Sequence, residues 1–407
     1  MSKKNNLLGL TREELQDYLI KINEKPYRGL QIFEWIHNKG IIDFDSMTNL
    51  GKDLIAKLKQ NSIIEIPEII DISTSSEGTK KFLLKLDQNS FIEMVKIPEK
   101  KRQTLCISSQ AGCALKCTFC ATGYHGFKRN LTSSEIISQL WIANYYEDES
   151  ERVSNVVFMG MGEPLMNTTN VLKTINIMKD QKCYSLSKRR ITLSTSGIVP
   201  EIEAITGKTD VSLAISLHAS NDDLRNEIVP INKKYPIRDL LLSSKNYLKS
   251  LNSKSYITVE YILIDKVNDS IEDASNLVNL LSDLKCKINL IPFNDKTKIT
   301  PLVMTPHCHA PSCIREEFWN ADTGEIICNM TAKYGDEKYG SLNGIFNEAN
   351  YITIVPCIFG YQEGLQFPFT LTQDTNITAI KYFNNTWRHL GQMAQWTGLM
   401  VYDTDPY

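Results

Sequence analysis

The chain has 407 residues, 42% of them hydrophobic and 23% charged, with a formal net charge of −2. At about 100–200 residues per domain, that length implies roughly two to four domains, and ordinary apolar and charged fractions exclude a disordered, collagenous or coiled-coil chain. No apolar run reaches the ~18 residues of a membrane span, and the opening MSKKNNLLGLTREEL lacks a signal-peptide core. A cytoplasmic protein without membrane contact is expected. The near-neutral charge is a sum of unlike parts. Up to Asn294 there are 38 Lys+Arg against 35 Asp+Glu, and from Asp295 onward 7 against 12.

In chain order, residues 10–61 read as helices. Thr11 is a plausible N-cap with Glu14 as its capping-box partner. Pro26 opens a second helix that ends near Gly40, and a third runs from Lys52 to Lys59. β-like runs follow at 68–73, 80–86 and 91–97. From position 104 strand and helix alternate, with strands at Thr104–Ser108, Val153–Met159, Arg190–Thr195, Val211–Leu217, Ile257–Ile264 and Lys287–Pro292. Six βα-type repeats predict a parallel sheet with right-handed crossovers. A doubly wound sheet and an incomplete barrel both fit, and either places function at the C-terminal ends of the strands. Residues 295–407 read as β-rich.

Cys113, Cys117 and Cys120 follow the first of these strands. Three thiolates within eight residues can wrap one metal centre, and soft sulfur ligands favour an iron–sulfur cluster or zinc. A structural zinc site needs a fourth ligand, for which His125 is the nearby candidate. A [4Fe–4S] cluster held by only three protein ligands keeps one iron open for chemistry. Cys183 and Cys286 read as plain buried thiols.

The Cys-x3-Cys-x2-Cys spacing resembles the radical S-adenosylmethionine (SAM) superfamily. The run Cys106–Cys117, CISSQAGCALKC, is more narrowly similar to the RNA adenine-C2 methyltransferases of the RlmN/Cfr type. Further blocks match in family order: Lys25–Arg28 (KPYR), Phe158–Pro164 (FMGMGEP), Ser194–Gly197 (STSG), Ser216–Ala219 (SLHA), Glu227–Lys234 (EIVPINKK) and Ile291–Asn294 (IPFN). The resemblance implies an incomplete (β/α)6 radical SAM barrel over 103–294, preceded by a helical RNA-binding accessory domain over 1–65 and a β-rich connection over 66–102. Its implied cofactors are a [4Fe–4S] cluster on Cys113, Cys117 and Cys120, and SAM. The implied SAM contacts are Gly162, Glu163, Ser194, Ser216, Leu217, His218 and Asn294.

Gly160 and Gly162, following a strand, would let bare backbone approach the ligand and offer N–H groups. By the same resemblance Glu93 is the general base that takes the proton from adenine carbon 2, with burial among apolar neighbours raising its pKa. Cys106 would pair transiently with a C-terminal cysteine. The implied activity is methylation of carbon 2 of adenine in 23S ribosomal RNA and transfer RNA, by a monomer supplied with electrons by flavodoxin or ferredoxin. Lys128-Arg129, Lys188-Arg189-Arg190 and Lys233-Lys234 are basic clusters that could contact phosphates.

The match stops at Asn294. The family's final segment, which ends in a methyl-carrying cysteine, is replaced by residues 295–407, an unrecognised stretch that reads as fused or misjoined. It contains Cys308, Cys313, Cys328 and Cys357. Three functional outcomes follow: a competent methyltransferase, a radical SAM protein that cleaves SAM without transferring methyl, or a non-enzymatic RNA-binding remnant.

Overall fold

A computed structural model describes residues 4–100, 102–146, 152–293, 298–307, 313–321, 323–334, 352–354, 357–358, 377–383 and 395–403. The chain divides into two units, Met1–Phe293 and Asn294–Tyr407.

The first unit opens with helices Arg12–Lys21, Arg28–His37 and Lys52–Asn61. The capping box forms as the sequence predicts: the Glu14 N–H donates to Thr11 Oγ1 at 3.2 Å and the Thr11 N–H to Glu14 Oε2 at 2.9 Å. Such a pair satisfies two donors that a helix start otherwise leaves orphaned. The apolar faces of these helices bury Leu15, Leu19, Ile32, Phe33 and Ile36. Trp141 donates its indole N–H to Ile36 O at 3.0 Å, and the Tyr145 hydroxyl donates to His37 O at 2.8 Å. Glu14 and Lys173 form an ion pair at 2.6 Å. The helical module is thereby fixed to the core.

Nine strands form the main sheet. Six are parallel and lie in sequence order: Arg102–Cys106, Asn155–Phe158, Ile191–Thr195, Ser212–Ser216, Ile257–Leu263 and Cys286–Pro292. Consecutive neighbours without a reversal exclude the doubly wound alternative, which needs a topological switch point. Because the two sheet edges do not pair, the architecture is an incomplete (β/α)6 barrel. The antiparallel strands Glu68–Thr74, Lys80–Lys85 and Phe91–Glu99 extend the sheet beyond the first barrel strand. That first strand starts two residues earlier than the sequence predicts, because Arg102 and Gln103 pair with Glu99 and Pro98.

Side chains alternate along each strand. Leu105, Val156, Ile191, Leu193, Leu213, Ile215, Ile257 and Val259 bury into the hydrophobic core. The opposite face carries Cys106, Val157, Thr192 and Ser212 in register, then Ser194, Ala214 and Thr258, then Ser216, Glu260 and Asn289. Parallel strands covered on both faces are apolar on both. A polar second face marks the concave side of a barrel that receives a polar ligand.

The second unit is antiparallel. One sheet orders Cys357–Ile358, Lys298–His307 and Gln395–Asp403, and the other Ile352–Ile354, Glu325–Tyr334, Cys313–Asn320 and Ile377–Phe383. Cys328 is buried there and disulfide-bonded, Cys313 and Cys357 lie on strands, and Cys308 is outside the described residues.

Candidate iron–sulfur and SAM site

The cysteine loop leaves the first barrel strand and packs against the helix Asp222–Ile228. The Thr118 N–H donates to Ile228 O at 3.1 Å, and Cys117 and Phe119 sit against Ala219, Ile228 and Val229. Cys113, Cys117 and Cys120 are all partly accessible free thiols. Burial pushes the Cys113 thiol up and the Cys117 thiol up to about 12, and the neighbouring cysteines and Glu163 add to both. The three thiols therefore act on one another. They do not form a closed cage, since among the described residues no group of three His, Cys, Asp or Glu side chains stands ready to hold a metal ion. A loop with three soft sulfur donors fits a cluster, which binds cysteines as thiolates. His125, the zinc alternative's fourth ligand, is exposed.

Glu163 is buried, 2% exposed, and joins two strand ends. Its Oε1 accepts the Leu165 N–H at 3.1 Å and its Oε2 the Ser196 N–H at 2.8 Å. Burial pushes its carboxyl up, against those two bonds.

The glycines of this loop act differently from the sequence-based expectation. The N–H groups of Gly160, Met161 and Glu163 already donate, to Ile107 O at 3.0 Å, Ser108 Oγ at 2.9 Å and Gln110 Oε1 at 2.8 Å. A Cβ at Gly160 would stand 2.7 Å from the Ile107 carbonyl carbon, and Gly162, at φ 96°, packs against the Gln110 side chain. These glycines let the first two strand-end loops close on each other.

Ser194 and Ser216 stand on the concave face. Leu217 and His218 follow at the fourth strand's end, where their N–H groups donate to Glu260 O at 3.0 and 3.3 Å. His218 is held at φ 60°. Its Nδ1 accepts the Ile262 N–H at 3.1 Å, which leaves the proton on Nε2, and its ring meets Phe119 edge-on at 4.7 Å. Burial, followed by Arg225, holds its pKa down at about 3. Asn294 lies outside the described residues.

Cys106 shares the concave face with Val95 across the neighbouring strand, and Glu93 lies two residues from Val95 on that face. Burial pushes the Cys106 thiol up to about 12 although the residue keeps some accessibility, and the thiol is free. The apolar surroundings expected for Glu93 are absent. Ile92 and Met94 point to the other face, and the Glu93 carboxylate is 44% exposed and 3.4 Å from Lys81 Nζ.

Four positioning residues escape a reading of the sequence. Gln139 clamps Ser108, accepting its N–H at 2.8 Å and donating to its carbonyl at 2.9 Å. Asn268 donates to His218 O at 2.8 Å and Ile262 O at 2.7 Å. Glu260, pushed up by burial, receives Asn289 Nδ2 at 2.7 Å. Arg225 is wholly buried. The available signals are a polar residue inside the apolar run IISQLWI and one inside ITVEYIL.

His37, beside the Tyr184 hydroxyl at 3.1 Å, is likewise held down at about 3 by burial. Both histidines fold neutral, so their contribution is present above the unfolded pKa of 6.5 and is lost as pH falls towards 3. Unfolding near pH 5 takes up close to one proton at each, a slope of at most about 2.7 kcal/mol per pH unit. Glu163 and Glu260, pushed up, oppose part of it. Urea unfolding at pH 5 and 6 is expected to show stability falling with acid, and His37→Phe is expected to remove about half of the histidine slope. A slope unchanged in that variant contradicts the assignment.

Comparison with known proteins identifies the family. Residues 5–64 match the ribosomal RNA large subunit methyltransferase N-terminal domain, and residues 107–278 match the radical SAM superfamily. The chain is 49% identical to a dual-specificity RNA methyltransferase RlmN of Psychrobacter arcticus over 312 residues, covering 72% of this chain and 76% of that protein. The chain belongs to the RlmN family of radical SAM RNA methyltransferases. The RlmN protein of Pseudomonas putida is 50% identical, with 72% of this chain and 78% of that protein covered. A radical SAM methyltransferase from Sphaerobacter thermophilus superposes with a TM-score of 0.68 at 38% identity, covering 71% of this chain and 85% of that one. As a member of the RlmN family, the chain is a SAM-dependent RNA methyltransferase with a [4Fe–4S] cluster and SAM as cofactors. No helix among the described residues is long and apolar enough to cross a membrane.

Proposed function

We infer that the chain methylates carbon 2 of adenine in 23S ribosomal RNA and transfer RNA, in the cytoplasm, as a monomer fed electrons by flavodoxin or ferredoxin. The observation that carries this reading is the cysteine loop opening beside a concave face that carries Cys106, Ser194, Ser216 and Glu260. Cys113, Cys117 and Cys120 would hold the cluster, which supplies the electron that cleaves SAM. Gly162 and Glu163 position the ligand from the second strand end, Ser194 from the third, and Ser216, Leu217 and His218 from the fourth; Asn294 is a further contact that the family resemblance implies. His218, neutral and with its proton on Nε2, can donate a hydrogen bond there but carries no charge. Glu93 takes the proton from adenine carbon 2, and its carboxylate is paired with Lys81 Nζ at 3.4 Å. Cys106, a free thiol, lies on the same face. An adenine in folded RNA must leave its stack to reach this depth.

One observation favours a second reading. The family's motifs end at Asn294, and 24% of the Psychrobacter relative lies outside the match (100 − 76). Without a methyl-carrying cysteine the same site cleaves SAM and leaves RNA unmodified. Anaerobic incubation with SAM, a reductant and an RNA fragment separates the two. The methyltransferase yields 2-methyladenosine along with 5′-deoxyadenosine, whereas 5′-deoxyadenosine alone supports the second reading and overturns the first.

A further inference from the structure

Arg225 is buried completely, in the helix that backs the cysteine loop. Burying a guanidinium costs several kcal/mol unless a counter-charge compensates, and the usual counter-charge is a bidentate carboxylate. Arg225 has none. Its Nε donates to Leu217 O at 2.9 Å, Nη1 to Asn232 Oδ1 at 2.7 Å, and Nη2 to Ser196 O at 2.8 Å and Ser216 O at 2.9 Å. All four acceptors are neutral. The nearest acid in the network, Asp222, is exposed and is reached only through Asn232, whose Nδ2 donates to Asp222 Oδ1 at 2.8 Å. Burial pulls the guanidinium down to about 10, which still leaves it charged at neutral pH.

The surroundings show what answers that charge. Arg225 ties together the third and fourth strand ends and the turn at Asn232. Cys117 packs against Ile228 and Val229 at the end of the helix that carries Arg225, and the next residue's N–H donates to Ile228 O at 3.1 Å. Ser196, whose carbonyl takes Nη2, also donates its N–H to the buried Glu163 carboxylate at 2.8 Å.

The geometry points to Arg225 as a positioning residue whose fixed, water-excluded positive charge stabilises the reduced iron–sulfur cluster and so sets its reduction potential. The inference rests on the assignment of the cluster to Cys113, Cys117 and Cys120. In the step concerned, a low-potential donor is oxidised by one electron and the cluster is reduced by it. No bond forms or breaks and no proton moves. Each electron adds a negative charge to a centre already anionic from its thiolates, so a nearby cation favours uptake, most strongly where water cannot screen it.

The test is a redox titration of the reconstituted full chain, followed by electron paramagnetic resonance, with iron and sulfide content measured alongside. Arg225→Met is expected to keep its iron and to shift the midpoint to more negative potential. At a potential that half-reduces the wild-type cluster, only a minority of the variant's clusters should then carry the electron. Arg225→Lys, which keeps the charge and loses the fork of hydrogen bonds, is expected to stay nearer the wild type. A wild-type midpoint in Arg225→Met with full iron content overturns the inference. Should that variant fail to take up iron, a wild-type midpoint in Arg225→Gln, which keeps polar donors without the charge, overturns it instead. Full iron and an unaltered spectrum in Cys117→Ala would sink the cluster assignment itself, which is a separate result.

Discussion

Replacing Cys117 by alanine is expected to remove the cluster and RNA methylation together while leaving the fold in place. Cys117 belongs to a loop held from several sides: the Thr118 N–H reaches Ile228 O, and the Cys120 N–H reaches Cys117 O at 3.1 Å. Neither bond uses the Cys117 side chain. Removing one sulfur leaves two ligands in a loop that supplies three, and a [4Fe–4S] cluster is not retained by two protein thiolates with nothing to replace the third. Iron and sulfide should fall to background, the visible absorption of the cluster should vanish, and methylation should become undetectable. Thermal unfolding of metal-free wild type and variant should agree within a few degrees, because a partly accessible thiol contributes little packing. Retained methylation in Cys117→Ala would contradict the assignment. A collapsed fold would show that the cysteine is structural.

The second large effect is steric. Gly112, at φ 75°, immediately precedes the cysteine loop, and a Cβ there would overlap the carbonyl oxygen of Gly126. That obstacle is backbone, and it is itself tied down, since Gly126 O accepts the Cys113 N–H at 3.1 Å. Gly112→Ala therefore combines left-handed backbone strain with an overlap that no side-chain rotation relieves. A cost of roughly 3–5 kcal/mol is expected from strain and overpacking together. The loop that presents Cys113 would be displaced in any molecules that fold. Denaturant unfolding and iron content measure both consequences. A Gly112→Ala protein with wild-type stability and full iron would show that the loop is looser than the structure places it.

Much of the fold is legible in the sequence because periodicity fixes elements. Thr11 and Glu14 announce the first helix, and the apolar alternation from Leu105 to Ile288 announces the parallel strands. Periodicity does not encode strand order, which is why the doubly wound and barrel alternatives separate only when the pairing is seen. The three cysteines were also legible, since their spacing carries the chemistry. The glycines of FMGMGEP were legible as a turn but not in their task. Spacing shows that backbone comes close, and only the partners of Gly160, Met161 and Glu163 show that it comes close to protein. Glu93 misled for a related reason: its flanking residues in sequence, Ile92 and Met94, are on the opposite face, whereas its real neighbour Lys81 comes from the next strand. Arg225 gave no signal at all. In NDDLRNEI it reads as one more charge on a solvated helix, and its burial follows from strand ends brought together from distant parts of the chain.

Methylation of adenine by this core, with its own tail, is the function proposed. Its most direct test is mass spectrometry of nucleosides from 23S ribosomal RNA and transfer RNA in cells lacking their own enzyme and supplied with this full chain. The return of 2-methyladenosine to both RNAs, and its absence with Cys117→Ala, is the predicted result. RNA that stays unmodified while the purified chain carries its cluster and cleaves SAM would contradict it.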